Sequence, residues 1–250
     1  MKIPLVFGLI VAATAPLTVL ASTPSSATRA SLAWGGQNWT RGPSPYGVAA
    51  GFHVEGEVLV VAETATGEGG IVWLEGEHSA FTLTLKVMAE QPADGGIYVG
   101  ADERGRGYQV RLDNWEREGN IGGIYCDGVP GGIVARTGCF AEPWHPGVWN
   151  DLKISVSRLP REGVAVTRIE VWINGTQVTA YEASAATPGA RIGVQLHSNI
   201  QHDHHTPGKK IYLKDFVIVE TDATRKRAAQ KTELSREVGE GREGGTSFPL

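Results

Sequence analysis

Residues 81–87 read Phe-Thr-Leu-Thr-Leu-Lys-Val, which places Phe81, Leu83, Leu85 and Val87 on one face and Thr82, Thr84 and Lys86 on the other. This period of two is the feature that most restricts the fold. It recurs at 108–113, 152–157, 169–173 and 192–197, and a nearly continuous apolar run at 211–219 predicts a well-covered strand. No window before residue 221 carries a 3.6-residue period. The 33 Gly and 13 Pro among 250 residues are too many for a coiled coil or helical repeat and too few for a low-complexity chain. Asn174-Gly175 separates the apolar runs 169–173 and 177–181, a hairpin signal with a mechanism, since both turn residues accept positive φ. Many short strands, each with one face to bury, call for two packed antiparallel sheets. The Cys…Trp…Cys arrangement of an immunoglobulin domain is missing. The expectation is a single all-β jelly-roll sandwich over residues 31–220.

The two ends differ from this body. Residues 1–21 carry one early charge, Lys2, then an apolar run that closes on Val19-Leu20-Ala21 before Ser22, the pattern of a secretory signal and its cleavage site. Pro4 and Pro16 within the run argue against a membrane anchor. The mature chain is therefore expected to be secreted or periplasmic, without a membrane partner. Residues 221–250 are charged, with no large apolar residue between Thr221 and Leu234, and read as a disordered tail. The formal net charge of −4 offers no electrostatic footprint for a phosphate backbone, so nucleic acid is not an expected partner. Export would put Cys126 and Cys139, the only two cysteines, in an oxidising compartment. A structural disulfide between them is the expectation, worth roughly 3 kcal/mol for so short a loop, with two free thiols as the alternative.

Alternation also marks out candidate functional residues. If Tyr108, Val110 and Leu112 face the core, Gln109, Arg111 and Asp113 face away from it; if Ile192, Val194 and Leu196 face the core, so do Gln195 and His197 face away. Two strands thus offer an acid, a base, a cation and two amides on outward, solvated faces, a set suited to a polyol. Trp115, just beyond Asp113, could stack on a sugar ring. Four of the seven histidines fall between 197 and 205. His197, His202, Asp203 and His204 are the candidate ligands of a divalent metal. The paired carboxylates of an ordinary retaining glycoside hydrolase find no Glu-x-Asp-x-x-Glu pattern here.

Several segments then arrive in a characteristic order: Gly96-Ile-Tyr-Val99, Gly107-Tyr-Gln-Val-Arg-Leu-Asp113, Gly123-Ile-Tyr125, Pro146-Gly-Val-Trp-Asn150, Trp172-Ile-Asn-Gly175, Arg191-Ile-Gly-Val-Gln-Leu-His197 and Ile211-Tyr-Leu-Lys-Asp-Phe-Val217. In this order the chain resembles the 3-keto-disaccharide hydrolase domain family, over about residues 51–220. The resemblance implies a concanavalin-like jelly roll that hydrolyses 3-keto-glycosides. The 3-keto group acidifies the C2 hydrogen, a base removes it, the C1 substituent leaves, and water adds. It implies His197 as base or metal ligand, Asp113 as its partner or second ligand, and Gln195, Gln109 and Arg111 as substrate contacts. Two departures stand out: Gly100 where the family has Arg, and Gln109 where it has Glu. If the missing charges serve the chemistry, a non-catalytic, lectin-like carbohydrate-binding module is the alternative.

Overall fold

The computed structural model describes residues 31–44, 47–48, 51–113, 121–126, 132–135, 137, 143–162, 164–183, 187–197 and 206–221. Trp115, Cys139, His202, Asp203 and His204, the 1–21 segment and all of the tail after Thr221 lie outside them. No helix occurs among the described residues. The strands run β1 (Ser31–Trp34), β2 (Gln37–Ser44), β3 (Gly47–Val48), β4 (Phe52–Glu55), β5 (Val58–Ala62), β6 (Gly70–Leu74), β7 (Phe81–Ala89), β8 (Gly95–Ala101), β9 (Tyr108–Arg111), β10 (Ile124–Cys126), β11 (Ile133–Ala135), β12 (Asn150–Arg161), β13 (Val164–Ile173), β14 (Thr176–Glu182), β15 (Arg191–Leu196) and β16 (Lys210–Glu220).

They form two antiparallel sheets. One orders its strands β1-β2-β6-β15-β8-β9-β10-β11, with β3 beside β2; the other runs β14-β13-β12-β7-β16-β5-β4. Neighbours distant in sequence, such as β6 and β15, pair throughout, the long connections of a jelly roll. The core lies between the sheets. Trp39, Val72, Leu74, Ile97, Val110 and Val194 meet Leu59, Phe81, Leu83, Ile154, Val171 and Leu213 in one buried cluster. This is the expected concanavalin-like sandwich.

Local chemistry accounts for the elements. Burial along β7 alternates without a break from Phe81 to Ala89, as its sequence requires. The β13–β14 hairpin closes on Asn174 (φ 48°) and Gly175 (φ 82°), both left-handed, as a type I′ turn demands. At the edge of the core Trp34 and Trp39 from one sheet enclose Phe216 from the other, with ring centroids 5.1 to 5.4 Å apart. Such tilted and edge-on contacts add to burial and clamp the sheets together. Phe81 is wholly buried in the middle of this interface. Phe81→Ala is expected to cost about 3–5 kcal/mol by urea unfolding; an unchanged midpoint would place that ring outside the core.

Candidate functional site

The face of the nine-stranded sheet turned away from the core carries the polar residues that alternation assigned to it. Register builds the face in rows. Gln195 on β15 stands between Ile71 on β6 and Gly96 on β8, and Gly96 pairs with Arg111 on β9. The next row runs Trp73, Gly193, Tyr98, Gln109, Tyr125. Past the end of β15, the His197 amide donates to the Asp94 carbonyl at 3.1 Å, so His197 sits beside Asp94. The Leu112 amide donates to the Gly95 carbonyl at 2.9 Å, which brings Asp113 level with both.

One expectation needs correcting. These outward positions are not solvated: Gln109 (7%), Arg111 (6%), Asp113 (1%) and Gln195 (1%) are buried. A second apolar cluster, Ile71, Trp73, Tyr98 and Ala101, shares the same face. Burial then dictates pairing, because a buried polar group without a partner costs several kcal/mol. Arg111 donates to both carboxylate oxygens of Asp113, Nε to Oδ2 at 2.9 Å and Nη2 to Oδ1 at 2.6 Å. Gln109 Nε2 donates to Gln195 Oε1. That amide bridge crosses directly above Gly96, where a Cβ would come within 2.6 Å of Gln109 Cγ and Nε2 and 2.7 Å of the Val110 carbonyl. The second row is made possible in the same way, since the Trp73 ring fills the space a Cβ on Gly193 would need. Gly96→Ala is expected to separate the two glutamines and lose about 1–3 kcal/mol, read as a lowered thermal midpoint; unchanged stability would mean the bridge does not lie over Gly96.

His197 is the accessible member of the set, its side chain 30% exposed, with Nδ1 3.6 Å from Asp94 Oδ2. That separation is an ion-pair distance, too long for a hydrogen bond. Burial pushes the Asp113 carboxyl above its ordinary value, while Arg111 and then His197 pull it down.

Two residues of the site were not anticipated from sequence. Asp94 lies in the Pro92-Ala-Asp-Gly95 stretch, which reads as a turn. Glu63 directly follows the apolar strand β5 and is 4% exposed. Its carboxylate accepts from the Asp94 amide at 3.1 Å and from the Thr206 amide at 2.8 Å. One side chain thus ties the His197 partner to the start of the segment leading into β16. A buried acid at the end of an apolar run is the only sequence signal for it.

The departures also take structural form. Gly100 has φ 64°, and a Cβ there would meet Thr187 at 2.5 Å. No arginine fits at this position without moving Thr187. Arg191 occupies a nearby place, its guanidinium 4.5 Å above the Trp73 ring, at the mouth of a cleft of about 630 Å³ shared with Asp102 and Glu103. Six residue steps along β15, roughly 20 Å, separate Arg191 from His197. Among the described residues, no group of three His, Cys, Asp or Glu side chains could hold a metal. The candidates His202, Asp203 and His204 fall outside them, as does Cys139, the expected partner of the buried Cys126.

The sequence profile of the 3-keto-α-glucoside-1,2-lyase-like domain matches residues 30–218. The chain belongs to this family. Membership bears out the resemblance drawn from the motifs between Gly96 and Val217 and makes this a carbohydrate-related domain. No curated protein sequence matches the chain. Among solved structures it is similar to a candidate glycosyl hydrolase from Parabacteroides distasonis ATCC 8503, at 15% identity and TM-score 0.46, over 68% of this chain and 90% of that one. It is also similar to a carbohydrate binding module from Bacillus subtilis, at 13% identity and TM-score 0.44, over 72% of this chain and 99% of that one. The functional reading rests on the family and on the site, not on these likenesses.

Proposed function

We propose that this 3-keto-α-glucoside-1,2-lyase-like domain cleaves 3-keto-glycosides by elimination, with His197 as the base, in a mature chain exported after cleavage at Ala21. The observation that carries the reading is the position of His197, which stands partly exposed beside the buried Arg111–Asp113 and Gln109–Gln195 pairs. A base at such an edge can meet a substrate while its surroundings stay dry.

The chemistry needs little more. The 3-keto group makes the C2 hydrogen acidic. His197 takes that proton, and the C2–H electrons become the enolate of the C3 carbonyl. The enolate collapses, C3=O re-forms, C1=C2 forms and the C1–O bond breaks. The aglycone oxygen leaves with the proton that His197 took from C2, which restores the base. Water then adds across C1=C2, its hydroxyl at C1 and its proton at C2, which completes net hydrolysis. Asp94, beside Nδ1, steadies the imidazolium formed on proton uptake. Arg111 and Asp113, a buried and mutually neutralised pair, shape the end of the face on which His197 stands. Gln195 and Gln109, buried and bound to each other, hold β15 against β9 across Gly96 and so fix the strand that ends at His197.

Gly100 favours a second reading, a carbohydrate-binding module without turnover. The family's cation is replaced there by a glycine whose space Thr187 fills. The discriminating experiment incubates the full chain with an aryl 3-keto-glucoside and with its unoxidised parent, each with and without chelator, and follows aglycone release. Release from the keto substrate alone is the expected result. Saturable binding of either sugar without release would establish the second reading. Loss of release with chelator would bring the His202–His204 candidates into the mechanism. N-terminal sequencing of the exported chain is expected to begin at Ser22; retention of Met1 would sink the export proposal.

A further inference from the structure

The opposite, seven-stranded sheet carries a groove that the reaction does not use. About 440 Å³ in volume, it is lined by Thr84, Lys86, Asp151, Lys153, Trp172 and Asp215, with Leu85, Leu152 and Gly175. That volume lies within the range of about 300–1,000 Å³ that accommodates a small organic ligand. The polar lining comes from the outward positions of four adjacent strands: Trp172 pairs with Lys153, Lys153 with Thr84, Asp151 with Lys86, and Lys86 with Lys214.

Two irregularities frame the groove. On β16 the register shifts between Lys214 and Val217, and Asp215 takes a left-handed φ of 55°. Leu213 and Phe216 both keep to the core, so the bulge adds an outward side chain, Asp215, next to Lys214. On the far side the β13–β14 register shifts at Val171/Trp172. A bulge re-aims a side chain at the expense of ladder pairing. A left-handed φ is uncommon outside glycine, and Asp is among the residues that adopt it most readily. Here one bulge turns a carboxylate into the groove and the other lies beside its single indole.

The chemistry of the lining identifies the ligand class. Trp172 is half-buried, with Lys153 Nζ 4.1 Å from its ring centroid; Trp149 is capped likewise by Lys214 at 4.4 Å. Lys86 Nζ donates to Asp151 Oδ1 at 2.7 Å. Two ammonium groups and two carboxylates line the groove, so its charge is balanced and attracts neither an anion nor a cation as such. Donors and acceptors alternating around an indole suit a ring with hydroxyls at its edge and C–H groups on its faces. Exposed lysines such as Lys153 are long and mobile enough to swing from the ring to a hydroxyl.

We infer that the outer face of the seven-stranded sheet is a second carbohydrate site, centred on Trp172 and taking one neutral sugar unit of a polysaccharide. It is separate from His197, on the other sheet, and would hold a polymer while the catalytic face works on its own substrate.

Affinity electrophoresis of the full chain through gels containing dextran, laminarin, soluble starch or polygalacturonate tests this. Retardation by at least one neutral polymer is expected. Trp172→Ala should weaken it by at least about tenfold, while His197→Ala leaves it unchanged. Trp172→Ala should also leave aglycone release from the small keto substrate as it was, so failure here is distinguishable from failure of the catalytic proposal. Lys153→Ala and Asp215→Asn, both at exposed positions, provide a second reading if Trp172→Ala does not fold. Either should weaken retardation severalfold. Migration unaffected by any neutral polymer overturns the proposal. So does retardation by polygalacturonate alone, or retardation that survives all three groove substitutions.

Discussion

His197→Ala abolishes release of the aglycone from a 3-keto-glucoside, with kcat/KM expected to fall by about 10²–10⁴-fold, and leaves the fold in place. Two facts of the structure separate the effects. The His197 side chain is partly exposed, so its removal opens no core cavity. Its backbone amide, which donates to the Asp94 carbonyl, is untouched by the substitution. The thermal midpoint should therefore stay within a few degrees of the parent. Substitution of Asp94 by Asn should give a smaller loss, because the imidazole remains and only its carboxylate neighbour is neutralised. A His197→Ala protein that turns over at the parental rate would remove the base from the mechanism.

Asp113→Ala is expected to cost as much stability as removing a core ring. Arg111 and Asp113 are both nearly inaccessible and bound to each other through two hydrogen bonds. Deleting the carboxylate strands a buried guanidinium, which costs about 3–5 kcal/mol. The pair as a whole is another matter, since desolvating two ions offsets most of their attraction. The double variant Arg111→Met, Asp113→Leu should therefore be far more stable than Asp113→Ala, and inactive. Urea midpoints of the parent, the single and the double variants measure this directly. A double variant as unstable as Asp113→Ala would mean that the pair itself holds the sheet together.

Much of this was legible in the chain. Period-two alternation in β7 and the Asn174-Gly175 turn follow from side-chain geometry that acts within a few residues. The same alternation put Gln109, Arg111 and Asp113, and Gln195 and His197, on faces turned away from the core. It could not say that these faces are buried, because burial depends on what lies over a sheet, and that is a matter of tertiary packing. Arg111 and Asp113 are two residues apart, at and just past the end of β9, and their pairing could be read from spacing. The Gln109–Gln195 bridge joins residues far apart in sequence and depends on Gly96 leaving room beneath it. Glu63 and Asp94 escaped for a related reason. Each looks like an ordinary strand end or turn until the register of β5, β15 and β16 brings them to His197. The bulge at Asp215 is marked only by the adjacent charges Lys214 and Asp215, which break the period of two between Leu213 and Phe216 within an otherwise apolar run.

The central claim is that the C2 hydrogen of the substrate is removed, and deuterium reports on that atom directly. The full chain is incubated with an aryl 3-keto-glucoside in D₂O, and the released 3-keto-sugar is analysed by mass spectrometry and proton NMR. A sample of the free product kept equally long in the same buffer corrects for spontaneous exchange. Elimination followed by addition of water predicts one deuterium at C2 in every molecule of enzymatic product from the first turnovers. Product that retains its C2 hydrogen would contradict the account, because direct displacement at C1 leaves that hydrogen in place.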